Sequence, residues 1–413
     1  MWEESRTGEQ SLALAQLHTC PVCLGRDLCT ELNQQFLTVS MFGEEGWGGQ
    51  AGTLYQAALN DEEELGVFSP AADSWDAWDL AVCKNSSQWR GCLVSQAASK
   101  SFLYKARGDA TQLRTLHKFS GEAGPAALTA CATPGLASKL RDTFDADRDY
   151  TVTLEEKAML FTAVGAAPAT AMQRLAPGLG LTAVPRYVGS CGRLTVQEGQ
   201  LTALSEYLDR PWETRAELAG QLLSLLDTLH NRLEDWLLFA WDLDWDSFAV
   251  SRTGQVILAG GLARTTPVEK TILATAPTQE RPVCNEKCFA QFRSDVFMAT
   301  PHGTPGRGCG VALLHADLMH AELCRFVLAD SEAGRGLLHS GPARVAQLLA
   351  DCTTETAPGR RWQAVDHLTD FLDDEISQTT TAVDAGEDED GDATASNESQ
   401  GSLTENSRDN NKN

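Results

Sequence analysis

The sequence predicts an α+β protein with two lobes, a small N-terminal lobe that contains β-strands and a larger lobe that is mainly helical. Two apolar stretches near the N-terminus, Phe36–Phe42 and Leu54–Leu59, are typical of strands, and the glycine-rich segment 43–49 between them favours a hairpin turn. In the second half, leucines recur at helical spacing from Glu213 to about Asp235. With 413 residues, the chain is long enough to bury a sizeable core.

The smaller lobe is predicted to span residues 20–197, after an N-terminal segment at 1–19. It begins with a turn at Cys20–Cys29, which a proline and a glycine favour, and ends with a strand at Thr195–Gln197. The glycine-rich segment 43–49 could in principle cradle a phosphate. No helix that begins with Lys-Ser/Thr follows it, however, so a hairpin turn is the better interpretation.

The larger lobe is predicted to span residues 198–375, followed by an acidic tail at 376–413. Pro211 marks the start of the leucine-rich helix. Beyond Ile376 nearly all apolar residues give way to Asp, Glu, Gly, Ser, Thr and Asn, so Val383–Asn413 is expected to be disordered. Three further stretches of this lobe predict helices: Leu313–Val327, Pro342–Leu349 and Trp362–Leu372.

The segment Phe239–Gly261 contains the residues most typical of a catalytic site. An apolar stretch leads into an acidic turn at Asp242, and two short apolar strands follow with a turn between them. This order matches the catalytic loop and metal loop of protein kinases, where one Asp accepts the hydroxyl proton and an Asn and a second Asp hold magnesium. Here Asp242 stands at the position of the base, Ser247 at that of the Asn and Gly260 at that of the metal-binding Asp.

In this segment and in five further motifs, the chain resembles the divergent protein kinase domain family, specifically its type 2 branch of deleted-in-autism protein 1 relatives. The resemblance covers about Cys20–Leu372 and implies a two-lobed protein-kinase-like fold in a protein of the secretory pathway. The further motifs are Cys20-Pro-Val-Cys23-Leu-Gly25, Val82-Cys83-Lys84 with Cys92, Tyr187-Val-Gly-Ser-Cys191-Gly-Arg193, Pro211-Trp212-Glu213 and Gly336-Leu-Leu-His339.

The resemblance also implies which kinase positions are degenerate. Relatives end one strand with a lysine that would pair the nucleotide phosphates, and the matching strand Leu54–Leu59 is followed by Asn60. Only Thr30–Gln35 remain where relatives carry more chain, so the phosphate-covering hairpin is shortened. Gly260 offers no carboxylate to magnesium. We therefore predict a pseudokinase that acts by binding a protein and does not use ATP.

Two other functions stay open. An active but atypical kinase of secretory proteins would use Asp242 as its base and Asp244 or Asp246 as a displaced magnesium ligand. A nucleotide-binding switch would bind its ligand without transferring phosphate. The acidic turn is short and offers no second fixed ligand to share an ion, which favours a structural hydrogen bond for Asp242.

The segment 145–156 has the ligand spacing of a twelve-residue EF-hand loop, and a related branch of the family carries an EF-hand in its N-lobe. Helical periodicity flanks the loop on both sides. Tyr150 replaces the usual glycine, and a positive φ there would weaken binding by about 1 kcal/mol. We predict an EF-hand-like insertion that binds calcium; an acidic helix–loop–helix that binds no ion is the alternative. The oxygen donors are Asp145, Asp147, Asp149, Thr151, Thr153 and Glu156.

Twelve cysteines predict a disulfide framework and an oxidising compartment. The resemblance implies that Cys83 pairs with Cys92 or a near neighbour. Cys20 and Cys23 could instead be half of a zinc site, but Cys29 alone does not supply the second half. Two glycosylation sequons, at Asn85 and Asn397, agree with a secreted glycoprotein. The disulfide candidates are Cys20, Cys23, Cys29, Cys83, Cys92, Cys131, Cys191, Cys284, Cys288, Cys309, Cys324 and Cys352.

The net charge of −24 argues against nucleic acids and anionic lipids as partners, because both would be repelled, and it suits calcium or basic protein surfaces. Residues 1–18 lack the apolar run of a signal peptide, and nothing predicts insertion into a membrane. Relatives begin with a signal segment just upstream of the first cysteines. We therefore expect a lumenal (Golgi or endoplasmic reticulum) or secreted protein whose signal segment is missing here; a cytosolic paralogue with reduced cysteines is the alternative.

Overall fold

The computed structural model describes most of the chain, and the elements and contacts below are those of the described residues. No helix among them is long and apolar enough to cross a membrane. The described residues are 14–34, 37–40, 52–59, 63–84, 86, 91–101, 109–116, 127–199, 201–275, 283–285, 287–290, 317–331 and 334–386.

A five-stranded antiparallel sheet forms the first lobe. In space the strands follow the order β1-β2-β3-β5-β4, with β3 in the centre. β1 and β2 pair antiparallel, as the predicted hairpin requires. The strands are β1 (Leu37–Ser40), β2 (Gly52–Leu59), β3 (Glu63–Pro70), β4 (Tyr187–Cys191) and β5 (Leu194–Glu198).

One face of this sheet carries a small apolar core. Side chains two residues apart point to the same face of a strand, so β3 and β5 each contribute a pair of buried residues. The short helix α1 (Cys29–Asn33) covers them with Leu32. The two pairs are Leu65 with Val67 and Leu194 with Val196.

A block of helices lies between β3 and β4 in the chain. Two of their starts follow from capping: the Thr133 hydroxyl accepts the amide of Leu136 at 3.0 Å, and Thr153 and Glu156 form a capping box. The helices are α2 (Ala72–Lys84), α3 (Val94–Ala98), α4 (Ala110–Thr115), α5 (Pro134–Phe144), α6 (Leu154–Ala166) and α7 (Pro168–Leu175).

The second lobe combines two small sheets with helices. β6 (Leu201–Ala203), β8 (Phe248–Ser251) and β9 (Val256–Leu258) form one antiparallel sheet, and β7 (Trp236–Ala240) pairs with β10 (Thr265–Glu269). The predicted α+β fold is confirmed. The helices are α8 (Trp212–Asp227), α9 (Lys270–Thr275), α10 (Leu318–Leu323), α11 (Ala343–Thr353) and α12 (Arg360–Gly386).

Element boundaries differ from the predicted ones where helices change their winding. α8 ends at Asp227 and continues as the π-helical turn Thr228–Arg232, so the predicted helix to about Asp235 is shorter. α10 continues in the same way as Cys324–Leu328. α12 runs to Gly386, which extends a helix into the segment predicted as an acidic tail.

Five disulfides cross-link the described residues. Cys20 pairs with Cys23, so these two sulfurs are not half of a zinc site. Among these five bonds, Cys29–Cys191 closes the longest loop, a separation of 162 residues, which in the chain-entropy account removes about 5 kcal/mol of freedom from the unfolded chain. Cys131 is also disulfide-bonded, and Cys309 lies outside the described residues. The other bonds are Cys83–Cys92, Cys284–Cys288 and Cys324–Cys352.

Two distant motifs of the sequence meet at the start of α8. Arg215 is buried, and its guanidinium donates to the backbone carbonyl oxygens of Leu337 at 2.6 Å and His339 at 3.0 Å. The motifs beginning at Pro211 and Gly336 therefore hold the second lobe together rather than supplying reactive groups.

His320 is a buried histidine on α10. Neither ring nitrogen has a hydrogen-bond partner among the described residues, and the ring of Trp362 lies edge-on with its centroid 4.9 Å away. Burial, with a smaller effect from nearby His230, lowers the pKa of His320 to about 4. The folded protein therefore keeps this imidazole neutral at pH values where a solvated one would be charged.

This shift predicts an acid-dependent loss of stability. Between pH 6.5 and pH 4 the unfolded chain binds a proton at His320 that the folded protein does not, so stability falls as the pH drops through that window. From pH 7 to pH 4.5, we expect the free energy of unfolding of the wild type to fall by about 2–3 kcal/mol more than that of His320→Phe. Chemical unfolding at both pH values measures this, with exposed His367→Gln as the control. An equal loss in all three proteins would contradict it.

Candidate functional site

The strands β7 and β10 position the acidic turn. β7 is buried along its length and ends at Ala240, opposite Thr265, the first residue of β10. The amide of Trp241 donates to the carbonyl oxygen of Arg264 at 3.2 Å. Arg264, just before β10, is thereby brought beside Asp242, at the start of the turn.

Asp242, at the position of the kinase base, is ion-paired. Its backbone has a left-handed conformation (φ 55°), which costs a residue with a Cβ about 1–2 kcal/mol. Its Oδ2 accepts a hydrogen bond from Nη1 of Arg264 at 3.0 Å, and only 21% of the Asp242 side chain is exposed. One of the two carboxylate oxygens of Asp242 therefore faces a guanidinium.

The same guanidinium holds Asp244 and Ser247. Nη1 and Nη2 of Arg264 donate to the two carboxylate oxygens of Asp244 at 3.1 and 2.9 Å, a bidentate pair. Nη2 also donates to the Ser247 hydroxyl at 3.0 Å. We call these four residues, Asp242, Asp244, Ser247 and Arg264, the arginine cluster.

Ser247, at the position of the magnesium-binding Asn, has no lone pair left for a metal. Its hydroxyl donates to Asp244 Oδ1 at 2.8 Å and accepts from the Asp244 amide at 3.0 Å as well as from Arg264. A serine hydroxyl has one hydrogen and two lone pairs, so all three are used. The side chain is also fully buried.

Electrostatics favour this arrangement. Burial alone would lower the pKa of Arg264, but the hydrogen bond and charge of Asp244, together with Asp242, outweigh it and raise the pKa. The guanidinium is therefore a fixed positive charge. The pKa of neighbouring Asp246 is raised, first by burial and then by the Asp244 carboxylate.

Gly260, at the position of the metal-binding Asp, has no room for a side chain. A Cβ built on it would overlap the carbonyl oxygen of Asp246. The backbone of the acidic turn thus occupies the space that a carboxylate at position 260 would need. The aspartate could not be restored here without moving that backbone.

The position of the phosphate-pairing lysine needs a correction. Asn60 lies outside the described residues, and it follows β2, the second strand of the sheet. Kinases carry this lysine on their third strand. The strand to compare is therefore β3, Glu63–Pro70, which contains no lysine.

The helix beside the segment Gly260–Arg264 offers no acidic partner for such a lysine. α7 packs against this segment and against β4, and it contains no acidic residue. Kinases use a glutamate on a helix for this pairing. Gln173 of α7 instead donates to the side chain of Gln197 on β5 at 3.0 Å.

Arg264 is the functional residue that sequence reasoning missed. It follows Gly260 by four positions, where no kinase motif calls for a cation, and nothing in the spacing shows that β10 returns it to the acidic turn. The signal that could have pointed to it is chemical: three carboxylates within five residues of a partly buried turn need a positive partner.

The predicted calcium loop lies between α5 and α6. Carboxylate oxygens of Asp145, Asp147 and Asp149 lie within 4.8 Å of one another. Tyr150 has φ 64°, the positive value expected at the position of the missing glycine, and its amide donates to Asp145 Oδ2 at 2.9 Å. These features agree with an EF-hand loop.

One observation at this loop fits a bound cation. Asp145 is only 7% exposed, and its Oδ1 has no hydrogen-bond partner among the described residues. A buried carboxylate oxygen without a partner is unfavourable, and a hard cation beside Asp147 and Asp149 would satisfy it. The pKa of Asp147 is raised: the Asp149 amide lowers it, but the Asp145 side chain and nearby carboxylates raise it more.

The remaining predicted ligands form hydrogen bonds within the loop. Glu156 accepts the amide of Ala146 at 2.8 Å with one oxygen and the amide and hydroxyl of Thr153 with the other, each at 2.8 Å. Hydrogen bonds from the Thr151 hydroxyl and amide lower the pKa of Asp149. The carboxylates of the three aspartates lie close together. Glu156 would have to give up its hydrogen bonds to Ala146 and Thr153 in order to bind a cation. The sequons at Asn85 and Asn397 lie outside the described residues.

Comparison with known proteins confirms the predicted resemblance. A family model described as the protein-kinase domain of FAM69 matches residues 175–291, which contain the arginine cluster. Divergent protein kinase domain 2A of Mus musculus is 23% identical over 90% of this chain and 89% of its own. Divergent protein kinase domain 2B of Homo sapiens is 22% identical over 59% of this chain and 58% of its own. The chain is thus similar to divergent kinase-like proteins of the type 2 branch.

Among solved structures, vaccinia related kinase 3 aligns with 82% of this chain and covers 88% of its own. The sequence identity is 12% and the TM-score 0.29, a superposition too weak to support a conclusion.

Proposed function

We propose that this chain is a pseudokinase that acts by binding a protein partner. The observation that carries the proposal is the arginine cluster, in which Arg264 occupies the carboxylates of Asp242 and Asp244 and the hydroxyl of Ser247. Phosphoryl transfer relies on metal ions and cations placed around the phosphates. Here the cation beside these groups is the guanidinium of Arg264, which belongs to the chain itself.

An active atypical kinase would need a displaced magnesium ligand. Asp244 would have to leave a bidentate pair with Arg264, and Asp246 would have to act without a second fixed ligand. The missing lysine on β3 and the missing acid on α7 remove a further pair of phosphate-positioning charges. These losses favour the pseudokinase over the kinase and over a nucleotide-binding switch.

Calcium is the second part of the proposal. Support comes from the three convergent aspartates and from the buried Oδ1 of Asp145, which has no hydrogen-bond partner within the described ranges. Calcium accepts six to eight oxygen ligands, and the loop offers carboxylates, a hydroxyl and backbone carbonyls. Asp145, Asp147 and Asp149 would hold the ion, with Glu156 completing the shell once it leaves its cap.

The disulfides support a compartment outside the cytosol. Five cross-links among the described residues suit an oxidising environment such as the secretory pathway, in the lumen or outside the cell. The net charge of −24 favours a partner with a basic surface and disfavours nucleic acid.

The test of this proposal is a radiolabelled-phosphate assay with the full chain, ATP and either magnesium or manganese on lumenal protein substrates. We expect no incorporation above background with the wild type or with Asp242→Ala. The thermal unfolding temperature of the wild type should not rise when ATP and metal are added, because a ligand that binds only the native state would raise it.

Two outcomes would contradict the pseudokinase. Incorporation that disappears in Asp242→Ala would establish the atypical kinase. A rise in the unfolding temperature that needs both ATP and metal, without incorporation, would establish the nucleotide-binding switch.

A further inference from the structure

α5 connects the calcium loop to the segment that contains Arg264. Its C-terminal end is Phe144, directly before the first predicted ligand, Asp145. At its other end, the Thr133 hydroxyl donates a hydrogen bond to the carboxylate of Glu269, the last residue of β10. This helix of eleven residues, about 16 Å long, is a rigid element between the two sites.

The start of α5 and the Glu269 carboxylate are in close contact. The Thr133 hydroxyl accepts the Leu136 amide while it donates to Glu269, so one group caps the helix and joins it to β10. A Cβ on Gly135 would overlap the Glu269 carboxylate. The first turn of α5 thus accommodates this carboxylate because glycine stands at position 135, and a negative charge at a helix N-terminus is favourable.

A second connection runs through α7. Arg174 on α7 donates to the carbonyl oxygen of Thr143 at 3.3 Å, and its guanidinium lies 3.9 Å from the centroid of the Phe144 ring. α6 packs against α7, and α7 packs against Gly260–Arg264. Both helices of the calcium loop therefore contact, directly or through α7, the ten residues 260–269.

We infer that calcium at residues 145–156 controls the arginine cluster through α5 and α7. The inference rests on the calcium site proposed above. In EF-hands of the sensor type, calcium changes the angle between the two helices. Because α5 is bonded to Glu269 and α6 packs on the helix that contacts Gly260–Arg264, a change in this angle must shift Arg264 relative to Asp242. Linkage then requires that disrupting the Glu269 contact changes calcium affinity.

The test combines calorimetry with hydrogen exchange on the full, disulfide-bonded chain. In the wild type, calcium should slow amide exchange at residues 241–247 and 265–269 severalfold, as well as in the loop. In Glu269→Gln, calcium should still bind, about fivefold more weakly, and the slowing at 241–247 should be lost. Glu217→Gln, which removes an exposed carboxylate from α8, is the matched control and should behave as the wild type.

The outcomes separate the two proposals. If the wild type binds no calcium at millimolar concentration, both the calcium site and the coupling are overturned. If it binds calcium but exchange at 241–247 is unchanged, the coupling alone is overturned, and this comparison needs no variant. Equal calcium affinity and equal slowing in the wild type and Glu269→Gln would also overturn the coupling.

Discussion

Replacing Arg361 by methionine is expected to destabilise the protein by about 3–5 kcal/mol. Its guanidinium is fully buried and lies between the carboxylates of Asp317, to which it donates a short hydrogen bond, and Glu355, 3.8 Å away. It also donates to the backbone carbonyl oxygens of Cys352 at 2.8 Å and Cys284 at 3.2 Å. Methionine preserves most of the volume but leaves two buried carboxylates without their cation.

The neighbouring residue supplies the control. Arg360 is about half exposed and pairs with Asp351 at 3.4 Å, so Arg360→Met should change the free energy of unfolding by less than about 1 kcal/mol. Denaturant unfolding with disulfides intact measures both variants. Restoring much of the stability in Arg361→Met by adding Asp317→Leu would support the role of the buried charge. Equal small losses in Arg361→Met and Arg360→Met would contradict it.

The helical part of the fold could be predicted because its signals are local. Leu218, Leu222, Leu225 and Leu226 recur along one stripe of α8, and all four are buried. The strand β3 could not be predicted in this way. Its start, Glu63-Glu64, is acidic, and its position in the centre of the sheet depends on pairing with β5, which lies more than a hundred residues later. Pairing between strands so distant in sequence cannot be inferred from local composition.

The two candidate sites differ in the same way, because the residues of one are close in sequence and those of the other are brought together by strand pairing. The convergence of the carboxylates in the segment 145–156 was predictable because they lie within twelve consecutive residues, and the positive φ of Tyr150 follows from that spacing. The arginine cluster was only half predictable. Asp242 and Ser247 follow from the kinase pattern, whereas Arg264 reaches them through the pairing of β7 with β10. The saturation of the Ser247 hydroxyl could not be predicted either, because one of its three hydrogen bonds comes from Arg264.

Asp145→Asn is expected to act in opposite directions with and without calcium. Asp145 Oδ2 accepts the Tyr150 amide, and an asparagine carbonyl can do the same, while Oδ1 is a buried carboxylate oxygen without a partner among the described residues. Removing that charge should leave the calcium-free protein as stable as the wild type, or more stable by about 1 kcal/mol. Calcium affinity should fall more than about a hundredfold, beyond what loss of an outer-shell partner costs.

Calorimetry measures the affinity, and thermal unfolding in calcium and in chelator measures the two stabilities. Asp142→Asn is the matched control, because it removes an exposed carboxylate from the same helix three residues earlier and should leave both quantities unchanged. The wild type should gain stability from calcium in proportion to the logarithm of its concentration above the dissociation constant, and Asp145→Asn should not. If Asp145→Asn instead weakens the protein equally in calcium and in chelator, the carboxylate is a structural acceptor for the Tyr150 amide and the loop holds no ion.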